Sequence, residues 1–165
     1  MDLCDDAAVF AVRRSTPEDA AACVAIVRGL PDYFTDNVPE QVERDLGSHD
    51  GWVIAEGNNV AGFTVVDRRS RRSVEILHAA VRRELRSLGH GGLLIDHILD
   101  ALAAEGVELV EVKTLDRSAN YTPYETTRAF WERHRFVHLD TIDPLPGWGP
   151  GNPAALYVCA LSSTR

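Results

Sequence analysis

The run Val81-Arg82-Arg83-Glu84-Leu85-Arg86-Ser87-Leu88-Gly89-His90-Gly91-Gly92 constrains this chain more than any other segment. It joins a strand-like apolar stretch, Ser73 to Val81, to a helix-like apolar stretch, Leu93 to Ala104. Glycine at the joint lets the backbone turn sharply and leaves its N–H groups uncovered by side chains. At a helix start those N–H groups lack intrahelical partners and sit at the positive end of the helix dipole, so they form an anion site. A strand, a basic glycine-rich turn and a helix together suggest a pyrophosphate cradle. The plainer alternative is a glycine-rich turn that merely starts a helix.

Spacing narrows the kind of cradle. A Walker A loop requires Gly-x4-Gly-Lys-Ser/Thr, and no lysine follows these glycines. The dinucleotide fingerprint requires Gly-x-Gly-x-x-Gly, but Gly89-His90-Gly91 is followed by Gly92-Leu93-Leu94 and the third glycine is missing. The cluster also lies mid-chain, whereas that fingerprint usually opens its βαβ unit. What remains is Arg86-x-x-Gly89-x-Gly91 after a hydrophobic strand.

The 165 residues suffice for one domain with its own core. A formal net charge of −8 argues against a phosphate-backbone partner, so no nucleic acid is expected. Arg68, Arg69, Arg71 and Arg72 form the one basic cluster, expected on a solvated turn between strands. Cys4, Cys23 and Cys159 are scattered, with no Cys-x-x-Cys, which predicts a reduced chain with neither a disulfide framework nor a metal site. No stretch approaches the ~18 apolar residues of a membrane span. The acidic N-terminus lacks a signal-peptide charge pattern, and a cytoplasmic location is expected by elimination.

Element signals follow in order. Val9 to Arg13 reads as a strand; Thr16-Pro17-Glu18-Asp19 supplies an N-cap, a proline and an acid that start a helix running to Arg28. Leu30 to Pro39 reads as a loop and Pro39 to Leu46 as a second helix. Trp52–Glu56 and Val60–Val66 flank Gly57-Asn58-Asn59, a hairpin signal, and Ser73 to Val81 extends the meander. From Gly91, residues Leu94, Ile95, Ile98, Leu99 and Leu102 form one apolar helical stripe. Gly106 ends that helix and Val107 to Leu115 is a further strand. Thr126 to His134 is a helix, and Phe136–Thr141 and Ala154–Leu161 are strands separated by a loop rich in Pro and Gly. The order βααβββαβαββ describes one α/β domain with a mixed sheet, its core spanning about residues 9 to 161.

This order, with two specific segments, resembles the GNAT acetyltransferase superfamily. Glu75 to Leu99 resembles its acyl-CoA motif, whose loop reads Gln/Arg-x-x-Gly-x-Gly/Ala. Thr126-Thr127-Arg128-Ala129-Phe130-Trp131-Glu132-Arg133-His134-Arg135-Phe136 resembles the C-terminal pattern in which a short helix ends at Tyr-Glu-x-x-Gly-Phe. The resemblance implies an N-acetyltransferase over residues 1–165, with acetyl-CoA as cosubstrate, an amine of a small molecule or protein as acceptor, and no metal. It implies direct attack of the amine on the thioester in a ternary complex, with acyl-CoA held at a splay between the fourth and fifth strands. A homodimer would also be in keeping with the superfamily.

For the cofactor, the resemblance implies pyrophosphate contacts from Arg86, Ser87, Leu88, Gly89, His90, Gly91 and Gly92. It implies strand-like hydrogen bonds from Ala79, Ala80 and Val81 to the pantetheine arm. Tyr124 stands where many relatives carry an Asn that contacts the cofactor. Glu75 holds the place of a catalytic glutamate in several members, with an ordinary strand residue as the alternative. His78 is a second candidate base of suitable intrinsic pKa, but its odd offset places it on the other face unless a bulge intervenes. Many members place a Tyr near the thioester sulfur at the position of Trp131. An indole N–H can donate a hydrogen bond but cannot give up a proton at useful pH, so Tyr121 or Tyr124 would have to substitute, or the thiolate leaves unaided. That departure, with Arg135 where relatives carry a Gly, supports a rival: an acyl-CoA-binding or regulatory module with weak or no turnover. On the acceptor side, Asp32, Tyr33, Phe34, Asp36 and Asn37 would suit a cationic amine, and Trp148 in the last loop is a candidate lid.

Overall fold

Prolines beside short polar residues open three of the four α-helices in the part of the chain that a computed structural model describes, residues 9–162. Strand β1 (Ala11–Arg14) leads into a 3-10 turn at Pro17–Asp19 and then α1 (Ala20–Arg28). The Asp19 carboxylate accepts the Thr16 N–H at 2.8 Å, the acidic half of a capping box, and two bonds from Arg13 at 2.7 and 2.9 Å. Helix α2 (Val38–Leu46) follows, with Pro39 in its first turn. Strands β2 (Asp50–Glu56), β3 (Asn59–Arg68) and β4 (Ser73–Val81) form a meander whose first hairpin turns at Gly57, φ +57°. Then come α3 (His90–Ala104), β5 (Leu109–Leu115), α4 (Pro123–Arg133), β6 (Val137–Ile142) and β7 (Ala154–Ala160). The order is the one expected, with boundaries shifted by up to three residues.

The seven strands form one sheet in the order β1-β2-β3-β4-β5-β7-β6. Every pairing is antiparallel except β4 with β5. Helices α1 and α2 cover one face, where Cys23, Ile26, Val27, Leu30 and Val42 meet Val53, Phe63 and Val65. Helices α3 and α4 cover the other, where Ile95, Ile98, Leu102 and Trp131 meet Trp52, Val66, Val74 and Val110. Covering on both faces explains why β2 and β3 read as continuous apolar runs rather than alternating ones. Cys23 and Cys159 are fully buried, and burial pushes the Cys23 thiol up to about 12, so it packs as a small apolar group. Cys4 lies outside the described residues.

Two departures from regularity shape the site. Opposite β3, Val65 pairs with His78 but Val66 pairs with Ile76, so Leu77 is an extra residue in β4. A bulge of this kind bends its strand and sharpens the local twist. On the opposite edge, pairing with β5 runs only from Ser73↔Leu109 to Ile76↔Val112, while β5 stays paired with β7 as far as Leu115. Beyond Ile76, β4 and β5 therefore splay apart.

The basic cluster lies exposed at the turn between β3 and β4, as expected, with three of its four arginines paired to acids. Arg68 pairs with Asp50 and Glu105, Arg72 with Glu108, and Arg69 with Asp67 and the buried Glu75. After α4, Arg135 keeps the left-handed conformation usual for glycine, φ +69°, at a cost of roughly 1 kcal/mol.

Candidate functional site

The splay opens a cleft of about 580 Å³ that runs through the sheet from one helical layer to the other. On the α3 side the chain turns at Ser87, φ +63°, and Gly89, φ +89°, before entering the helix. No side chain caps α3 and its first turn holds no acid, so the N–H groups at its start are left for an anion. A Cβ on Gly91 would lie 3.2 Å from the Phe130 ring, and one on Gly92 3.2 Å from His134. These two glycines let α4 pack close beside the turn. Arg86 and Arg133 supply positive charge at this mouth, with the His134 imidazole beside them, and the Arg86 guanidinium stacks over the Tyr33 ring at 4.4 Å.

Of the residues expected to hold the cofactor, Ala79, Ala80, Val81, Arg86, Ser87, Gly89, Gly91 and Gly92 line the cleft. Leu88 points to solvent, 65% exposed. The His90 side chain turns the other way: its Nδ1 lies 3.2 Å from the Leu85 carbonyl and its ring packs edge-on against Phe10 at 4.8 Å. The backbone of Leu77 to Val81 has no strand partner on its β5 side. Within the walls, the buried hydroxyls of Thr64 and Thr114 have no hydrogen-bond partner, which is the expected state of groups that await a polar ligand.

The catalytic candidates separate. Glu75 is buried but does not line the cleft; Lys113 Nζ donates to one oxygen at 2.7 Å and Arg69 Nε to the other at 2.8 Å. Lys113 also pairs with Glu111, and it lines the cleft. Burial opposes the charge on Lys113, but the hydrogen bonds it donates to Glu111 and Glu75 outweigh that, and its pKa lies above the ordinary value. His78 reaches the cleft because the extra residue at Leu77 restores it to the face Glu75 occupies. Its Nε2 lies 2.7 Å from Asp45 Oδ2 on α2.

Trp131 lines the cleft only as part of the core, 4% exposed and wedged edge-on between Phe130 and Phe136 at 5.1 and 5.0 Å. Tyr124 lines it from the first turn of α4, and its hydroxyl donates to the Tyr33 carbonyl. Burial, with Tyr121 and Tyr33 adding, pushes the Tyr124 phenol up to about 12. From the α1–α2 loop, Leu30, Tyr33 and Phe34 enter the wall, whereas the acids expected beside them do not. Asp32 pairs with Arg83 at 3.3 Å, and Asp36 lines a separate shallow hollow with Arg28 and Pro39. Trp148 is not among the lining residues.

His78 stands behind Glu75 as a candidate base in the sequence because a bulge carries no reliable residue signature in this strand. The role of Lys113 had no signal at all. Both follow only from the register of β4.

A family model described as the acetyltransferase (GNAT) family matches residues 21–136. No curated protein matches the chain by sequence. Among solved structures, a GNAT-family protein from Desulfovibrio desulfuricans superposes with a TM-score of 0.81 at 17% identity, covering 93% of this chain and 100% of that one. The ribosomal-protein-S18-alanine N-acetyltransferase of Escherichia coli gives 0.77 at 14% identity, covering 95% and 97%. A GNAT-family acetyltransferase from Elizabethkingia anophelis, solved with acetyl-CoA bound, gives 0.67 at 17% identity, covering 92% and 98%. At these identities the likeness is one of fold.

Proposed function

The chain belongs to the acetyltransferase (GNAT) family, and from that premise we propose that it moves an acetyl group from acetyl-CoA to a primary amine. The observation that carries this reading is the course of the cleft, from an uncapped helix start through the β4–β5 splay to the opposite face of the sheet. The residues present fit the cosubstrate. The N–H groups from Gly89 to Gly92, with Arg86, would take the pyrophosphate. The free edge of Ala79 to Val81 would pair with the pantetheine amides, and the Thr64 and Thr114 hydroxyls could satisfy further polar atoms of the arm. Held in this way, the thioester faces the second mouth of the cleft.

In the proposed step the amine nitrogen attacks the thioester carbonyl, the C–N bond forms, and the C–S bond breaks as the thiolate leaves. The amine gives up one proton on the way and the thiolate takes one. We assign the first transfer to His78, directly or through a water, with Asp45 holding its ring. Glu75, expected as the base, is assigned instead to fixing Lys113, since both its oxygens are already engaged. Tyr124, protonated across the neutral range, is assigned to the thiolate. Trp131 walls the channel.

The second reading, an acyl-CoA-binding module with little turnover, is favoured by one observation: Trp131 is locked into the core where a phenol acid was expected. Thiol release from acetyl-CoA across an amine panel separates the two. Release that depends on amine supports transfer. Tight acetyl-CoA binding without release on any amine supports the binding module.

A further inference from the structure

We propose that the acceptor is a monoamine with an apolar, uncharged body, of the arylalkyl or branched-alkyl kind, and not a polyamine or an aminoglycoside. This rests on the acetyl-transfer reading above. The two mouths of the cleft differ in chemistry. The α3 mouth carries Arg86, Arg133 and His134, which suits phosphate. The mouth on the α1–α2 face is walled by Leu30, Tyr33, Phe34, Leu77 and Tyr124, with His78 and Lys113 as polar groups and the Arg86 guanidinium reaching it over the Tyr33 ring.

Among the described residues no Asp or Glu lines the cleft. The two acids nearest in sequence are turned away, Asp32 onto Arg83 and Asp36 into the separate hollow. A second ammonium on the acceptor would therefore enter without a carboxylate to pair with, and burying an unpaired charge is costly. Lys113 also lines the cleft. That lysine does not select for an acidic acceptor either, because Glu75 and Glu111 already match its charge. A single ammonium is better served. Before deprotonation it can rest against the Tyr124 ring, which lies 5.6 Å from the Tyr33 ring that Arg86 covers, and its apolar remainder gains from contact with Leu30, Phe34 and Leu77.

The test measures thiol release from acetyl-CoA by the whole chain with 2-phenylethylamine, isoamylamine, spermidine, kanamycin and a short neutral peptide with a free N-terminus. The expected kcat/KM for the first two exceeds that for spermidine and kanamycin by about tenfold or more. Phe34→Asp, which places a carboxylate in the wall, is expected to shrink or reverse that ratio, while Asp32→Asn leaves it unchanged. Spermidine or kanamycin turned over as fast as the apolar monoamines, or the peptide turned over faster than either, overturns the proposal. Acetyl-CoA binding is followed separately by calorimetry. If acetyl-CoA binds and polycations are favoured, this inference alone falls. If acetyl-CoA does not bind, or binds with no release on any amine, the transfer reading falls and takes this one with it.

Discussion

Nε2 of His78 and Oδ2 of Asp45 lie 2.7 Å apart and tie β4 to α2 at the wall of the cleft. With the carboxylate accepting from Nε2–H, Nδ1 is left as the acceptor. A base in this arrangement contributes to the chemical step and not to cosubstrate binding. His78→Gln is expected to lower kcat by about 10²-fold while acetyl-CoA affinity, measured by calorimetry, stays as in wild type. Asp45→Asn, which keeps the shape but loses the charge that orients the ring, should cost about tenfold in kcat. Unchanged kcat in His78→Gln would remove the histidine from the mechanism.

Glu75 makes the opposite prediction. It holds Lys113 and Arg69 from a buried position, so neutralising it strands Lys113 with Glu111 alone. Glu75→Gln is expected to destabilise the fold by about 2 kcal/mol in urea denaturation, less than a fully buried pair because Arg69 is half exposed. Its kcat should fall by less than about tenfold. A hundredfold loss of kcat with stability intact would return the role of base to Glu75.

Tyr124 carries the pH argument on the alkaline side. Burial holds its phenol near 12, so it remains an acid throughout the working range and produces no loss of activity below about pH 10. In the free protein its hydroxyl donates to the Tyr33 carbonyl, and donation to a thiolate exchanges that bond. Tyr124→Phe is expected to reduce kcat about tenfold at all pH values tested. A change confined to KM for acetyl-CoA would make it a binding residue only.

Asp19 sets an acid limit on stability. Hydrogen bonds from Arg13 pull its pKa below the ordinary value against the opposing effect of burial. A depressed carboxylate stabilises the fold above its unfolded pKa, near ~3.9, and that stability is lost as pH falls through the lower folded value. Asp19→Asn should cost about 1 kcal/mol at pH 7 and flatten the fall in melting temperature below about pH 4. An unchanged acid profile in Asp19→Asn would remove this pair from the account.

The element order was legible because each signal was local. Pro17 and Pro39 start helices, Gly57 turns a hairpin, and the Leu94-to-Leu102 stripe repeats at helical spacing. The glycine turn was legible for the same reason, since Gly89 takes a positive φ and Gly91 and Gly92 admit α4. What the sequence hid depends on register between strands. One extra residue at Leu77 moves His78 onto the face of Glu75, and a shift of one residue exchanges every later side chain across the sheet. The destination of Asp32 and Asp36 was hidden too, because a loop rich in acids looks the same whether it faces a cleft or solvent. In the sequence Trp131 stands where a phenol acid is expected; its place between Phe130 and Phe136 is that of a core residue.

The central claim is that the two mouths of the β4–β5 cleft serve one transfer reaction. The most direct test follows thiol release from acetyl-CoA in the presence of 2-phenylethylamine, with the product identified by mass. The account predicts stoichiometric release and acetylated amine in wild type, and loss of both in His78→Gln that still binds acetyl-CoA. Full acetyl-CoA binding in wild type with no acetylated product from any amine would contradict it.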